Sequence, residues 1–158
     1  RYEGKKSWIF QVDEQGWRYH MSDLMAAIGI SQLGRFEEFA SKRRELASLY
    51  EEILSPIEKV ISIPHDYSQV VPHIFPIRIK SPSNRQEIQY KLHDEGIQTG
   101  IHYQPNHWLD LYECPKADAL PVTDDFFSEQ LSLPLHPDLT KDEVIFVCNK
   151  LFELINAG

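Results

Sequence analysis

Between Ser22 and Leu33 the chain carries a helical run that is apolar most of the way round. Met21, Leu24, Met25 and Ile28 recur at i, i+3, i+4 and i+7, the spacing of one helix face. Ala26, Ala27, Gly29 and Ile30 make the other faces apolar too. A surface helix needs only an apolar stripe, whereas one that lacks a polar face has to be covered on several sides. The small side chains at 26, 27 and 29 let another backbone come close. Ser22 supplies an N-cap, Asp23 a favourable charge in the first turn, and Gly34 a break. The expectation is a buried helix.

A second helix follows to about Leu54. Phe36, Phe39, Ala40, Ala47, Tyr50 and Leu54 form its apolar stripe, which Arg43 interrupts; Glu37, Glu38, Lys42, Arg44 and Glu45 form a solvated face. Ser55-Pro56 ends it. Beyond this point the extended pieces are short. Val60 to Ile63 reads as a strand stopped by Pro64. His73 to Ile79 reads as another, with Phe75, Ile77 and Ile79 on one face and Pro76 arguing for an edge position or a bulge. Ser83-Asn84-Arg85-Gln86 is a capping box for a helix that Gly96 closes, and Ile97 to Ile101 reads as a short strand. Residues 102–121 are polar, aromatic and loop-like. A helix from Thr123 to about Gln130 and a strand from Leu131 to Leu135, limited by Pro134, come next. A second capping box, Thr140-Lys141-Asp142-Glu143, opens a last helix with Val144, Val147, Cys148, Leu151 and Ile155 on one face. Residues 1–15 alternate weakly through Trp8, Phe10 and Val12, as an extended arm does. The class is therefore α+β: two long helices leading into a small sheet covered by helices. The expected organisation is an extended arm and lead into the helix over 1–20, then one small domain over 21–158.

Composition narrows what such a domain meets. At 158 residues and 42% hydrophobic the chain can bury a real core. Its 24 acidic and 16 basic side chains give a net charge of -8, which repels a phosphate backbone, so nucleic acid is not an expected partner. Two distant cysteines, Cys114 and Cys148, make no disulfide framework and point to a reducing cytoplasm. No apolar run approaches the ~20 residues of a membrane span, and the charged N-terminus has no hydrophobic region behind it. Opening on Arg1 rather than methionine, the chain is expected to be cut from something longer. Its seven histidines form no H-x-x-x-H helical pair, and there is no C-x-x-C. His102, His107 and Asp110 come nearest to a ligand set, and no metal is expected. Neither a G-x-S-x-G elbow nor a Gly-rich phosphate loop occurs.

Three stretches carry a family resemblance. The first is Gly16-Trp17-Arg18-Tyr19-His20-Met21-Ser22 running on to Ala26-Ala27-Ile28-Gly29, similar to a G-x-N/R-Y-R/H-M-S-x-x-x-A-A-I-G pattern. The second is Leu92 to His107, similar to L-x-x-x-G-I-x-T-x-x-H-Y-x-P-x-H. The third joins Leu120-Pro121-Val122-Thr123 to Leu131-Ser132-Leu133-Pro134-Leu135-His136-Pro137. In this order and spacing they resemble the C-terminal part of DegT/DnrJ/EryC1/StrS sugar aminotransferases, from about Gly16 to the final helix.

The resemblance implies the small C-terminal domain of a fold-type-I enzyme that works as a homodimer. It implies transfer of an amino group from glutamate to a keto group on a nucleotide-linked sugar, with pyridoxal 5'-phosphate as cofactor. The lysine that holds the cofactor would lie upstream, since Lys5, Lys6, Lys42, Lys59, Lys80, Lys91, Lys116, Lys141 and Lys150 match no such position. No catalytic residue is therefore expected here. Arg18, where many relatives have Asn, is assigned to the cofactor phosphate, which a planar guanidinium binds in pairs of hydrogen bonds. His20, His102, Tyr103 and His107 are assigned to the substrate, since imidazoles and a phenol hydrogen-bond hydroxyls. If residues 104–106 form a loop, His102 and His107 can line one pocket. The competing reading is a stand-alone, non-catalytic module for dimerisation or sugar-nucleotide binding.

Overall fold

Ser22 caps a helix as its setting asks. Its hydroxyl accepts the Met25 amide at 3.3 Å, and α1 (Asp23–Gly34) runs on from there to a C-cap at Arg35. The structure, a computed structural model, describes residues 14–17, 19–80, 85–112 and 120–156. The extended arm expected over 1–15 falls almost wholly outside them. The chain divides into two units, Arg1–Arg35 and Phe36–Gly158.

Within the first unit the expectation of a buried helix is not met. α1 buries none of its residues, and Leu24, Ile30 and Leu33 are each more than 70% exposed. It is the only regular element among the described residues of its unit, and no second element among them covers its apolar circumference.

The second unit is built on a three-stranded antiparallel sheet in the order β1 (Val60–Ser62), β2 (Phe75–Ile79), β3 (Gln130–Leu133). Around it lie α2 (Phe36–Leu54), α3 (Arg85–Asp94), α4 (Pro121–Glu129) and α5 (Lys141–Asn156), and the class is α+β as expected. Phe75 stands opposite Leu133 and Ile77 opposite Leu131, so directly paired residues share a face and make it apolar. Onto that face pack Leu46, Tyr50 and Leu54 of α2, Ile88 and Leu92 of α3, and Val144, Cys148 and Leu151 of α5. Each such side chain contributes ~1.5–3 kcal/mol when fully buried. The stripe read on α2 lacks Leu46, which is fully buried.

Arg43, the interruption in that stripe, has a task. Its Nη1 donates to the carbonyls of His73 at 2.9 Å, Leu135 at 3.0 Å and Pro72 at 3.3 Å. It pins two chain segments that are distant in sequence to α2. Tyr50 does the same nearby: its hydroxyl donates to the Pro134 carbonyl at 3.0 Å, and its ring stacks on Phe75 at 4.9 Å.

Pro76 does not mark an edge, because β2 is the central strand. Ser132 exchanges its backbone bonds with Gly100, so its pairing with Pro76 carries none. The proline nitrogen therefore faces the β1 side, just past the last β1 pair, Ser62 with Ile77. The missing donor falls where no partner strand remains. The strand read at 97–101 shrinks to the one bridge between Gly100 and Ser132.

The helix ends follow their chemistry. Thr140 and Glu143 form the reciprocal capping box of α5: Thr140 N–H to Glu143 Oε2 at 2.7 Å, Glu143 N–H to Thr140 Oγ1 at 3.2 Å. Gly96 closes α3 at φ +78°, with Ile97 N–H on the Leu92 carbonyl and Gly96 N–H on the His93 carbonyl. Ser83 and Asn84, the start of the other capping box, lie outside the described residues.

Candidate functional site

β3 alternates Gln130, Leu131, Ser132, Leu133. Its leucines face the core, so period-two geometry turns Gln130 and Ser132 to the other side of the sheet. Pro76 and Arg78 of β2 stand opposite them on that second face. Arg78 is held there by Glu129 of α4, Nη2 to Oε2 at 2.6 Å, and lies over the Phe126 ring. One face of the sheet is thus core and the other is polar, and of the residues read as site candidates His102 is bonded to the polar side.

His102 meets this face. Its Nδ1 lies 2.9 Å from Ser132 Oγ, and its carbonyl accepts the Gln130 side-chain amide at 2.8 Å. The ring also lines a cleft of about 680 Å³. The cleft is walled by residues 96–100, by Ser132 to His136 at the end of β3, by His73 and Ile74, and by Leu139, Glu143, Phe146 and Val147 at the start of α5. No lysine or arginine lines it. Its ionisable groups are three histidines and Glu143, whose carboxyl the Thr140 amide and hydroxyl hold below the usual carboxylate range. Such a lining offers hydrogen bonds to hydroxyl groups beside an apolar wall, and no lysine or arginine for a phosphate group.

The other candidates are placed differently. Tyr103 packs edge-on against His102 at 4.9 Å but points outward and is 79% exposed. His107 does not share the cleft with His102. Its Nε2 lies 2.8 Å from Asp124 Oδ1 on α4, and the neighbouring Trp108 packs edge-on against Phe127 at 5.1 Å. Residues 104–106 do not form a simple loop between two pocket walls. Asn106–Trp108 and Asp110–Tyr112 are 3₁₀ turns that carry His107 onto α4. His20, in the first unit, is exposed two residues before the Ser22 cap. Arg18 lies outside the described residues.

Among the described residues no three His, Cys, Asp or Glu side chains converge as metal ligands would, and no helix is long and apolar enough to cross a membrane. The described residues do not fit pyridoxal phosphate as a complete site. Lys42, Lys91, Lys141 and Lys150 are engaged with surface carboxylates, Lys59 caps the Ile155 carbonyl, Lys80 is exposed, and none lines the cleft. Sequence reasoning missed Gln130, Ser132 and Gly100. The signal for the first two was two polar residues at alternate positions of an otherwise apolar strand.

The chain matches the model of the DegT/DnrJ/EryC1/StrS aminotransferase family over residues 1–152. It is 29% identical to the spore coat polysaccharide biosynthesis protein SpsC of Bacillus subtilis, across all of this chain and 43% of that protein. It is 33% identical to dTDP-4-dehydro-2,3,6-trideoxy-D-glucose 4-aminotransferase of Saccharopolyspora spinosa, across 90% of this chain and 37% of that enzyme. Among solved structures, the aminotransferase TlmJ from Streptoalloteichus hindustanus superposes with a TM-score of 0.81 at 29% identity, over 95% of this chain and 41% of that one. The chain spans about two fifths of the length of these relatives.

Proposed function

Since this chain belongs to the DegT/DnrJ/EryC1/StrS aminotransferase family, we propose that it is the C-terminal portion of a nucleotide-sugar aminotransferase. The whole enzyme takes its amino group from glutamate and delivers it to a keto group on a nucleotide-linked sugar. It uses pyridoxal phosphate and works as a cytoplasmic homodimer. The lysine that carries the cofactor belongs to the part of the enzyme upstream of this chain. The observation that carries this reading is the family match across nearly the whole chain.

The role of this portion is to bind and orient. His102 takes a sugar hydroxyl at the cleft, with Tyr103 beside it. His107 shapes the loop through Asp124 and meets the substrate only from the α4 side. Arg18, with His20 near it, reaches the cofactor phosphate of the neighbouring subunit. The apolar surface of α1 favours a portion over a stand-alone module, because an isolated domain would leave that surface in water. The large domain or the partner subunit covers it.

The test uses the full-length enzyme, incubated with glutamate and a dTDP-linked 4-keto hexose, with mass spectrometry of the aminated sugar. Amination is expected, together with the absorbance of bound cofactor. His102→Gln should raise KM for the keto sugar roughly tenfold, the loss of one hydrogen bond worth about 1.4 kcal/mol. Arg18→Ala should weaken cofactor retention. A full-length protein that retains no cofactor and aminates no nucleotide sugar would overturn the proposal.

A further inference from the structure

We infer that Ser132, Gln130 and Gly100 are positioning residues that lock the His102 imidazole in one orientation at the cleft wall. The inference rests on the reading that His102 contacts the sugar, and it names what makes that contact directional.

Gln130 and Ser132 are buried polar residues, 2% and 3% exposed, on a strand whose other positions are leucine. A buried polar side chain costs stability unless it is hydrogen-bonded, and leucine or valine would fill these positions without that cost. Both side chains are bonded, and both bonds end on the same residue. Ser132 Oγ meets His102 Nδ1, and the Gln130 amide donates to the His102 carbonyl. The Ser132 backbone also exchanges two hydrogen bonds with Gly100, at 3.0 and 2.7 Å, two residues before His102. Ring, carbonyl and preceding backbone are thus all tied to β3.

Gly100 leaves the room. A Cβ at this position would lie 2.6 Å from His102 Cε1, a separation real Cβ atoms do not adopt. The imidazole lies where that side chain would be, so any other residue at 100 has to displace it. With Nδ1 engaged by Ser132, whose hydroxyl can donate or accept, the ring's remaining hydrogen-bonding atom is Nε2, and a ring held in one setting is expected to settle on one tautomer. The cleft then presents a sugar hydroxyl with one defined donor or acceptor in place of a tumbling ring.

The experiment is nitrogen NMR on the full-length protein with labelled histidine imidazoles, at a pH well above the ordinary imidazole pKa. His102→Gln identifies the His102 resonances by their loss. In the wild type its two ring nitrogens should be widely separated, as a single tautomer gives. Ser132→Ala should draw them towards the averaged position of a free, exchanging ring, and Ser132→Thr, which keeps the hydroxyl, should restore the separation. Gly100→Ala removes no polar group and should produce the same averaging by displacing the ring; it also decides the matter if Ser132→Ala fails to fold. Unchanged His102 resonances in Gly100→Ala or in folded Ser132→Ala would overturn the inference. Failure of the underlying reading looks different: His102→Gln would leave KM for the keto sugar unaltered while the resonances still respond to Ser132→Ala.

Discussion

Replacing Arg43 with alanine removes the side chain that ties α2 to both segments flanking the cleft. Three carbonyls lie within 3.3 Å of its Nη1, those of Pro72, His73 and Leu135. One nitrogen carries two hydrogens, so at most two full bonds are present and the longest is shared. A hydrogen bond from a charged donor contributes about 1.5–3 kcal/mol net, and the lower end applies because the site is only partly buried. Two bonds then amount to about 3 kcal/mol. With a urea slope of about 2 kcal/mol/M for a unit of this size, the midpoint should fall by about 1.5 M. The assay is urea unfolding followed by far-ultraviolet circular dichroism. Hydrogen exchange should also quicken at residues 72–75 and 133–136 before the rest of the sheet responds. Arg43→Lys should recover only part of the loss, since an ammonium cannot reproduce the reach of the guanidinium. A midpoint shift below about 0.3 M, with exchange unchanged at those two segments, would show that Arg43 is a solvated arginine and that the cleft walls hold without it.

Two further predictions concern titration. The Glu143 carboxyl is depressed first by the Thr140 amide and then by the Thr140 hydroxyl. A depressed carboxyl contributes stability above its unfolded value, near 4.5, and loses that contribution as pH falls through its folded value. The gap in Tm between wild type and Glu143→Gln should therefore be open at about pH 7 and close at about pH 3; a constant gap across that range contradicts the cap. Burial pushes the Cys148 thiol up to about 12. Peptide mapping after iodoacetamide treatment should find Cys148 unlabelled in the folded protein at about pH 9 and labelled once urea unfolds it, because the thiolate is the nucleophile. Rapid labelling in the folded state would contradict the packing of α5.

Much of this fold was legible because the signals are local. Thr140 and Glu143 sit three apart and form the capping box their spacing announces, and the α5 stripe from Val144 to Ile155 is buried residue for residue. What escaped was long-range. Pro76 reads as an edge residue because proline lacks a donor, and only the register of three strands shows that its nitrogen faces the end of β1. Arg43 reads as a flaw in a stripe because its three acceptors lie 29, 30 and 92 residues away. The candidate site followed the same rule. His102 reads as a candidate from its motif, but the hydroxyl that meets its ring is 30 residues on, and His107 lies on Asp124 rather than at the cleft. The cover of α1 was not legible at all, since its apolar circumference states a need without naming the partner.

The alternation along β3 has a consequence for how such a protein can diverge. Two messages are interleaved in four letters, with the leucines on the core face and Gln130 and Ser132 on the face that meets His102. Changing the second and fourth letters disturbs the core, whereas changing the first and third breaks the bonds to His102. A single inserted residue would exchange the two messages at once, turning the leucines to the face that meets His102 and the polar pair into the core. Substitution at alternate positions of β3 can therefore vary one face of the sheet at a time, whereas length changes there should be confined to the loops on either side.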